Sequence, residues 1–536
     1  MSSSSESTGG LASRALRGVR WNYLGAIGRI AATFVSQIAL ARLLGPESFG
    51  LFGYSFLTVM LLGVIVEMGL PNALVQAPDL DDDAVAVALG RLLMAGATAA
   101  LCVFLAADLI ALHVFSNPQA APVLRAMSPT LVVAAVASAA MAMLSRDLEF
   151  KVIQLAALGS YVIGYLVVGI AAALMGLGVW SLVLAWHVQT LLACLIMARR
   201  SPRSLRPANP FRRIGIAAFG RVVMVTNVVN WVIDNGPHTA IGRWLGPGAL
   251  GLYTVSTNLV KVPADHLVRN LQSVLLPLSA RAQGNDAGIR RAYLTAMGGV
   301  GIVAFPVFTF VATTSEQVVA VLLGAKWLAA TAVLVPLSLA MVLHAVEAMA
   351  GPVLNGRGEP GAELRMKAII LALSLPVLAL TANWSLAAVG WGVAFVFLVR
   401  WILMNGAVAR RLHITAGDFG QAMGGPLTLG IISAAVPWGI GFALRTAGLA
   451  WPALWLLALM AVVTAVVLAL FTLALPRFVL GPQLLSLLHR LFEKRPTLAS
   501  RPGLSRLADA ASQAAREVVT DHFGAIPTWT PRPKTS

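Results

Sequence analysis

RLLGPESFGLF, residues Arg42–Phe52, recurs in the middle of the chain as RWLGPGALGLY, residues Arg243–Tyr253, each time between two long apolar runs. Both copies share an arginine, a Leu-Gly-Pro step and a later Gly-Leu followed by an aromatic residue. Repeated bundles of membrane helices are a common architecture of secondary transporters, in which two halves enclose a central site. The repeat therefore predicts a duplicated membrane protein and favours transport over catalysis.

The composition also indicates a membrane protein, because 58% of the 536 residues are hydrophobic and only 11% are charged. Soluble globular proteins carry roughly 25% charged residues. A helix needs about 20 apolar residues to cross the hydrocarbon layer, and fourteen such runs predict an all-α polytopic fold. The predicted spans are 21–44, 51–77, 84–114, 123–144, 152–175, 179–198, 214–245, 250–278, 292–314, 327–350, 368–382, 386–406, 424–444 and 451–475.

These spans divide into two lobes and two further helices. Six spans return the chain to the side on which it started, so two lobes of matching topology are related by an axis along the membrane normal. The predicted parts are an N-terminal segment 1–20, an N-lobe 21–198, a basic proline-rich linker 199–213, a C-lobe 214–407, two further helices 408–476 and a tail 477–536. The tail begins with an amphipathic basic segment that is expected to lie along the membrane surface, and a further helix is expected near 504–519.

The positions of lysine and arginine predict the orientation of the chain, because positively charged loops stay in the cytoplasm. With the N-terminus inside, most basic residues of the loops fall on the inner side, and the predicted outer loops hold only Arg42, Arg125, Arg243, Lys326 and Arg445. Both termini are therefore predicted to be cytoplasmic. Topology then accounts for most of the net charge of +17, so nucleic-acid binding is not expected.

The candidate site residues are ionisable side chains inside the apolar runs. A charge that faces lipid near the bilayer centre costs about 2.5 to 3.5 kcal/mol, so these side chains are expected to face protein or a wet cavity. Three of them lie at similar depth in the first three spans and are expected to meet: Arg29, Glu67 and Arg91. Three others follow at a spacing of four on one face of the eighth span: Lys261, Asp265 and Arg269.

A cationic face inside a membrane suits a phosphate or diphosphate group, because arginine and lysine bind phosphate oxygens by charge-assisted hydrogen bonds. The predicted substrate-binding residues are Arg29, Arg91, Lys261, His266 and Arg269. The residues predicted to balance charge or carry a coupling ion are Glu67, Asp234 and Asp265. The alternative is that these charges only pair with one another and hold helices together, and it is favoured for three residues near helix ends: Asp108, His344 and Glu347.

No motif supports an enzyme, a cofactor or a metal site. Walker-type, His-Glu-x-x-His and Gly-x-Ser-x-Gly stretches do not occur in the sequence, and both cysteines, Cys102 and Cys194, lie inside apolar runs. The acidic stretch 79–83 contains an Asp-x-Asp, which we interpret as a helix-capping turn rather than a metal site. Arg42 and Arg243 precede Gly-Pro, where a cation stabilises the end of a helix.

Several stretches near the N-terminus resemble the Wzx-type polysaccharide flippases of the multidrug/oligosaccharidyl-lipid/polysaccharide exporter superfamily. They are GVRW at 18–21, ARLLGPESFG at 41–50, EMGL at 67–70 and ALVQ at 73–76. The resemblance implies two six-helix lobes around a central cavity, plus two helices. It also implies a multi-pass protein of the bacterial inner membrane that turns an undecaprenyl-diphosphate-linked oligosaccharide to the periplasmic face with proton or sodium exchange, alongside a polysaccharide polymerase and assembly proteins.

Two rival interpretations remain open at this point. A drug/cation antiporter of the same superfamily requires a net acidic cavity, whereas the basic candidates here are at least as numerous as the acidic ones. A polytopic glycosyltransferase or polymerase usually requires a large outer loop with catalytic groups, and the predicted outer loops are short.

Overall fold

The computed structural model describes residues 28–77, 80–212, 217–281, 285–356, 360–494 and 505–523, and every regular element in them is a helix. Eleven helices in this part are long and apolar enough to cross a membrane, and each coincides with one of the predicted spans. The other predicted spans fall on helix 28–43, whose predicted beginning lies outside the described residues, and on the long broken helix Ala217–Arg281. The predicted all-α polytopic fold is confirmed.

The chain forms two compact units. Unit 1 contains the described residues up to Leu259, together with Leu322–Val333 and Ser374–Val389. Its first helices are α1 (28–43), α2 (Pro46–Glu67), α3 (Leu70–Gln76), α4 (Asp82–Leu109, continued by a π-helical turn Ile110–Val114), α5 (Ala120–Met127), α6 (Thr130–Arg146), α7 (Phe150–Leu174, with a π-helical part Val162–Gly169) and α8 (Val179–Arg200). The long helix α9 (Ala217–Arg281) begins in unit 1.

Unit 2 contains Val260–Val321, Leu334–Leu373 and the described residues from Gly390 onward. The remaining helices of the described residues are α10 (Asp286–Thr313), α11 (Ser315–Leu322), a 3-10 helix (Ala325–Ala330), α12 (Thr331–Glu347), α13 (Ala350–Gly356), α14 (Pro360–Ala382), α15 (Leu386–Leu412), α16 (Ala416–Thr446), α17 (Ala453–Ala474), α18 (Pro476–Lys494) and α19 (Ser505–Phe523). The units meet in sequence inside α9, whereas the predicted lobes meet in the linker, so the lobe assignment stays a prediction.

The Gly-Pro step ends a helix in both copies of the repeat, as predicted. Gly45 has extended backbone angles (φ −89°, ψ 170°), and α2 starts at Pro46 immediately after it. Gly246 interrupts α9 with a positive φ of 84°, a backbone conformation in which residues other than glycine are strained. The sequence therefore specifies two breaks at equivalent positions of the repeat.

The two copies of the repeat also contact each other within unit 1. A methyl group at Gly50 would overlap the carbonyl oxygen of Pro247, and one at Gly251 would overlap the carbonyl oxygen of Pro46. Small residues allow membrane helices to approach this closely. Near this contact, the Tyr54 hydroxyl donates a hydrogen bond of 2.9 Å to the carbonyl of Gly242.

One predicted membrane span, expected to be a continuous helix, is divided into two helices. The predicted span 51–77 consists of α2 and the short α3, separated by Met68 and Gly69. Both residues have a positive φ, 46° and 68°. Left-handed residues end a helix by turning the chain, so Glu67 is the last residue of α2 and does not lie in the middle of a helix.

The basic linker is docked on the start of α4. The Ala208 amide donates a hydrogen bond of 2.9 Å to the Ala86 carbonyl, and two ion pairs flank it, Arg203–Asp82 at 3.0 Å and Arg212–Asp83 at 2.6 Å. The hydrogen bond to Asp83 holds the pKa of Arg212 above its usual value.

The acidic turn before α4 has the capping role that was predicted for it. Asp81 is the N-cap of α4 and accepts a hydrogen bond of 2.7 Å from the Ala84 amide. The two aspartates that follow it bind the linker arginines, so the turn also anchors the linker.

The predicted helix near 504–519 is confirmed as α19, which packs on α18. Leu485 of α18 is fully buried and contacts Ala511 and Ala514 of α19. Part of the apolar face that was expected to lie on the membrane surface is therefore covered by the chain itself. Gly481, with a φ of 68°, breaks α18.

We expect Gly50→Ala to lower the apparent melting temperature of the detergent-solubilised protein. The added methyl group would overlap a backbone oxygen, which cannot rotate away, and overpacking of this kind costs about 1 to 3 kcal/mol. Gly63→Ala is the matched control, because it lies in the same helix with no atom within 4 Å of the added carbon. Equal melting temperatures of the two variants would contradict the close contact of the repeats.

Candidate functional site

Unit 2 contains a chain of charged side chains that links three helices. Arg400 of α15 places its Nε 3.0 Å from Glu347 Oε1 of α12. One turn earlier on α12, His344 Nε2 lies 3.1 Å from Asp265 Oδ1 of α9. Asp265 in turn pairs with Arg269 at 3.4 Å, one turn further along α9. Titratable and charged side chains therefore follow one another from Arg400 to Arg269, with the longest separation, 3.8 Å, between Glu347 and His344.

Burial makes the innermost pair costly to separate. The Glu347 side chain is only 2% exposed, and a buried carboxylate requires an opposite charge and hydrogen bonds to remain ionised. Arg400 supplies the charge, and its guanidinium also lies 5.6 Å from the centre of the Phe397 ring, within the range of a cation–π contact. The His344 ring meets the same Phe397 ring edge-on at 5.5 Å.

All five of these side chains, from Arg400 to Arg269, line one cavity of about 340 Å³. The Arg269 side chain is 68% exposed there, and Lys367 of α14 also lines the cavity. The Gln272 amide donates a hydrogen bond of 2.7 Å to the Ala348 carbonyl, which ties α9 to the turn after α12. The lining contains three permanent cations against two carboxylates: Arg269, Lys367, Arg400, Asp265 and Glu347.

The structure brings together part of the predicted group on α9. Asp265 and Arg269 form the ion pair described above, and Lys261 is close enough to Asp265 to interact with its charge. His266, on the neighbouring strip of α9, is half-buried, and Asp234 is exposed in the first part of α9.

The predicted cluster of the first three spans is not joined by ion pairs. Arg29 is exposed on α1, Glu67 is half-buried at the end of α2, and among the described residues no ion pair links Glu67 to Arg29 or to Arg91. Arg91 instead donates hydrogen bonds to the carbonyl oxygens of Pro210, at 2.8 Å, and Arg212. Its side chain therefore holds the linker against α4, and a role for it in substrate binding stays a prediction.

Two cations of the unit 2 cavity were not among the predicted site residues. Arg400 lies inside the apolar run 386–406, so the rule that identified the other candidates also applies to it. Lys367 directly precedes the predicted span 368–382. His344 and Glu347 were predicted to have structural roles because they lie near the end of a helix, a position that does not reveal their partners on α9 and α15. Asp108, in contrast, pairs with Arg125, as its structural interpretation expects.

The protein was compared with known families and structures. A family model described as "Polysaccharide biosynthesis protein" matches residues 39–332, which is more than half of the chain. The chain belongs to this polysaccharide biosynthesis protein family. The match includes both copies of the repeat and ends before His344, so the family assignment does not depend on most of the unit 2 cluster.

Two curated relatives extend the match. The lipopolysaccharide biosynthesis protein WzxC of Escherichia coli (strain K12) is 22% identical over 391 residues, which cover 72% of this chain and 79% of the relative. The succinoglycan biosynthesis transport protein ExoT of Rhizobium meliloti (strain 1021) is 26% identical over 361 residues, which cover 67% of this chain and 72% of the relative.

Solved structures share the fold. The lipid II flippase MurJ in an inward closed conformation matches with a TM-score of 0.66 at 10% identity, over 86% of this chain and 100% of that chain. An inward-facing multidrug resistance MATE family transporter of the MOP superfamily matches with a TM-score of 0.60 at 14% identity, over 72% of this chain and 98% of that chain. The protein therefore shares the fold of these two solved structures.

We expect Arg91→Ala to expose the linker to trypsin. The variant loses hydrogen bonds from a charged donor, each worth about 1.5 to 3 kcal/mol, so cleavage in the linker should become at least about tenfold faster. Asp83→Asn is the control, because an exposed ion pair contributes only about 0 to 1 kcal/mol. Limited proteolysis with mass mapping measures both rates. A fully protected linker in Arg91→Ala would show that the arginine does not hold it.

We expect Glu347→Leu to reduce the free energy of unfolding by about 3 kcal/mol, because it leaves the Arg400 charge without its carboxylate. Adding Arg400→Met should restore most of the loss, since two apolar side chains replace a buried pair. Unfolding in detergent measures the single and double variants. Glu316→Gln, at the exposed Glu316–Arg445 pair, is the control and should change little. Additive losses in the double variant would contradict a coupled pair.

Proposed function

We propose that this protein is a flippase, which turns a saccharide linked through a diphosphate to an isoprenoid lipid from the cytoplasmic to the periplasmic face of the bacterial inner membrane. Its membership of a polysaccharide biosynthesis family supports the saccharide part of the substrate. The name of one relative, a succinoglycan biosynthesis transport protein, supports transport rather than synthesis.

The unit 2 cavity is the observation that carries the proposal. Its lining has more permanent cations than carboxylates, and Arg269 directs an exposed guanidinium into it. A diphosphate that crosses a membrane must exchange its hydration for charged protein groups, because ionised groups are costly in hydrocarbon. Arginine and lysine supply both the charge and the hydrogen-bond donors that phosphate oxygens require.

The proposed substrate ligands are the predicted residues together with two residues that the cavity adds. They are Arg29, Arg91, Lys261, His266, Arg269, Lys367 and Arg400. Three acidic residues are proposed to balance charge or carry a coupling proton or sodium ion: Glu67, Asp234 and Asp265. The substrate would contact these groups in turn during alternating access.

The distribution of basic residues supports the proposed orientation, with both termini in the cytoplasm, and exposed tryptophans mark a membrane interface. Exposed tryptophans lie at helix ends that the topology places on the outer side: Trp180, Trp244, Trp384 and Trp451. Tryptophan concentrates at membrane–water interfaces, and arginine and lysine concentrate in cytoplasmic loops. The basic linker is on the opposite side in this topology.

The same observations favour a flippase over the two rivals. A drug/cation antiporter would require an acidic cavity for a cationic substrate, whereas this cavity is net basic. A polytopic glycosyltransferase or polymerase would require catalytic groups on a long outer segment, and the described outer connections, such as 115–119 and 175–178, are short. We therefore propose a transporter that is not an enzyme and that works beside a separate polymerase and assembly proteins.

We expect Arg269→Gln to reduce transport about tenfold or more, because it removes an exposed cavity cation without creating a buried unpaired charge. The measurement is the leaflet distribution of the lipid-linked saccharide in cells that contain only the variant, with completed units accumulating on the cytoplasmic face. Arg445→Gln is the matched control, since it removes an arginine from an exposed ion pair outside the cavity. Normal flipping by an Arg269→Gln protein at normal membrane levels would contradict the cavity assignment.

A further inference from the structure

His344 lies between two carboxylates in the unit 2 cluster. Its Nε2 atom is 3.1 Å from Asp265 Oδ1, and its Nδ1 atom is 3.8 Å from Glu347 Oε2. The first distance is a hydrogen bond, whereas the second is too long for one. His344 Nδ1 and Glu347 Oε2 are both buried and lack a hydrogen-bond partner in the described structure. Two buried polar atoms therefore face each other across a small gap.

The charge of His344 decides how many of these carboxylates it can bind. A neutral imidazole has one N–H donor and one lone pair, so it can donate to Asp265 or to Glu347 but not to both. An imidazolium has two donors. Closing the gap to Glu347 would then satisfy both unpartnered atoms at once, and buried polar atoms are rarely left unsatisfied. The geometry therefore suits a protonated His344.

The same proton also changes the charge of the cavity. With a neutral His344 the permanent charges of the lining give a net charge of +1, and an imidazolium raises it to +2. The described hydrogen bonds of the Arg269 side chain go only to Asp265. An imidazolium bound to Asp265 weakens the hold of that carboxylate on Arg269, so the guanidinium becomes available to an anion.

No neighbouring group reverses the sign of this effect. The charged and titratable groups that face His344 or its carboxylate partners are Lys261, Asp265 and Arg269 on α9, Tyr293 on α10, Glu347 on α12, Lys367 on α14 and Arg400 on α15. Among the described residues that line the cavity, His344 is the one with an ordinary pKa between about 5 and 8, and the neighbouring His266 is not part of that lining. Across that range the cavity therefore changes charge through the histidine.

We propose that the unit 2 cavity is a proton-linked anion site, in which a diphosphate diester binds Arg269 and Lys367 more tightly when His344 carries a proton. This inference rests on the proposed function, since it takes the diphosphate of a lipid-linked saccharide as the ligand. It also gives the sign of the coupling, because the proton and the anion bind cooperatively and do not compete. By linkage, the anion must raise the proton affinity of the site by the same factor.

Calorimetric titration of the purified full-length protein with P1,P2-dibutyl diphosphate tests the proposal, because both phosphate groups of this diester stay ionised over the range used. The wild type should bind at least about fivefold more tightly at about pH 5.5 than at about pH 7.5. His344→Gln should bind at both pH values as weakly as the wild type does at the higher one. His113→Gln is the matched control, an exposed histidine of unit 1 that should leave the pH dependence intact.

Asp265→Asn provides a second test that does not depend on the stability of the histidine variant. It removes the carboxylate that holds Arg269, so binding near pH 7.5 should approach that of the wild type near pH 5.5, with little change between the two. Full pH dependence in His344→Gln or in Asp265→Asn would overturn the proton link, as would equal wild-type affinity at both pH values. If the wild type bound no diester at either pH, the proposed function itself would fail.

Discussion

An ionised side chain inside a membrane must be compensated by other protein groups or by water, because hydrocarbon offers neither charge nor hydrogen bonds. In unit 2 two such groups of partners lie one turn apart on α12: Arg400 pairs with Glu347, and His344 binds Asp265, which in turn pairs with Arg269. These charged side chains connect helices α9, α12 and α15. Displacement of one helix therefore leaves a charged side chain of another helix without its partner. The Glu347 side chain is buried, whereas the Arg269 side chain is exposed in the cavity, where an anionic group can reach it.

A second constraint acts in unit 1, where one short sequence has two structural tasks. The Gly-Pro step of the repeat ends a helix, and the neighbouring glycines allow the two copies to approach until backbone meets backbone. The linker adds a third contact, since Arg91 and the acidic turn at the start of α4 bind it from both sides. These contacts are made by backbone atoms and charged groups.

Features that depend on the order of residues along one helix could be predicted from the sequence. The lengths of the apolar runs predicted the membrane-spanning helices, and the Gly-Pro steps predicted the helix breaks at Gly45 and Gly246. The acidic turn that contains Asp81 was predicted to cap a helix. Partners on other helices could not be predicted, because the depth of a residue does not reveal which helix lies beside it. Arg91 was therefore expected near Glu67 but binds the linker, and the partner of His344 on α9, Asp265, was not predicted. Arg400 was not among the predicted residues, although its position inside an apolar run would have identified it by the same rule.

We propose that this protein recognises its lipid substrate through the diphosphate group that links the lipid to its saccharide. Reconstitution of the purified protein into liposomes that contain a fluorescent diphosphate-linked saccharide lipid tests this claim most directly, with quenching from outside as a measure of leaflet exchange. We expect the protein to exchange this lipid between leaflets and to leave a phosphate-free glycolipid with the same chain and sugar in place. Equal exchange of both lipids, or of neither, would contradict this claim.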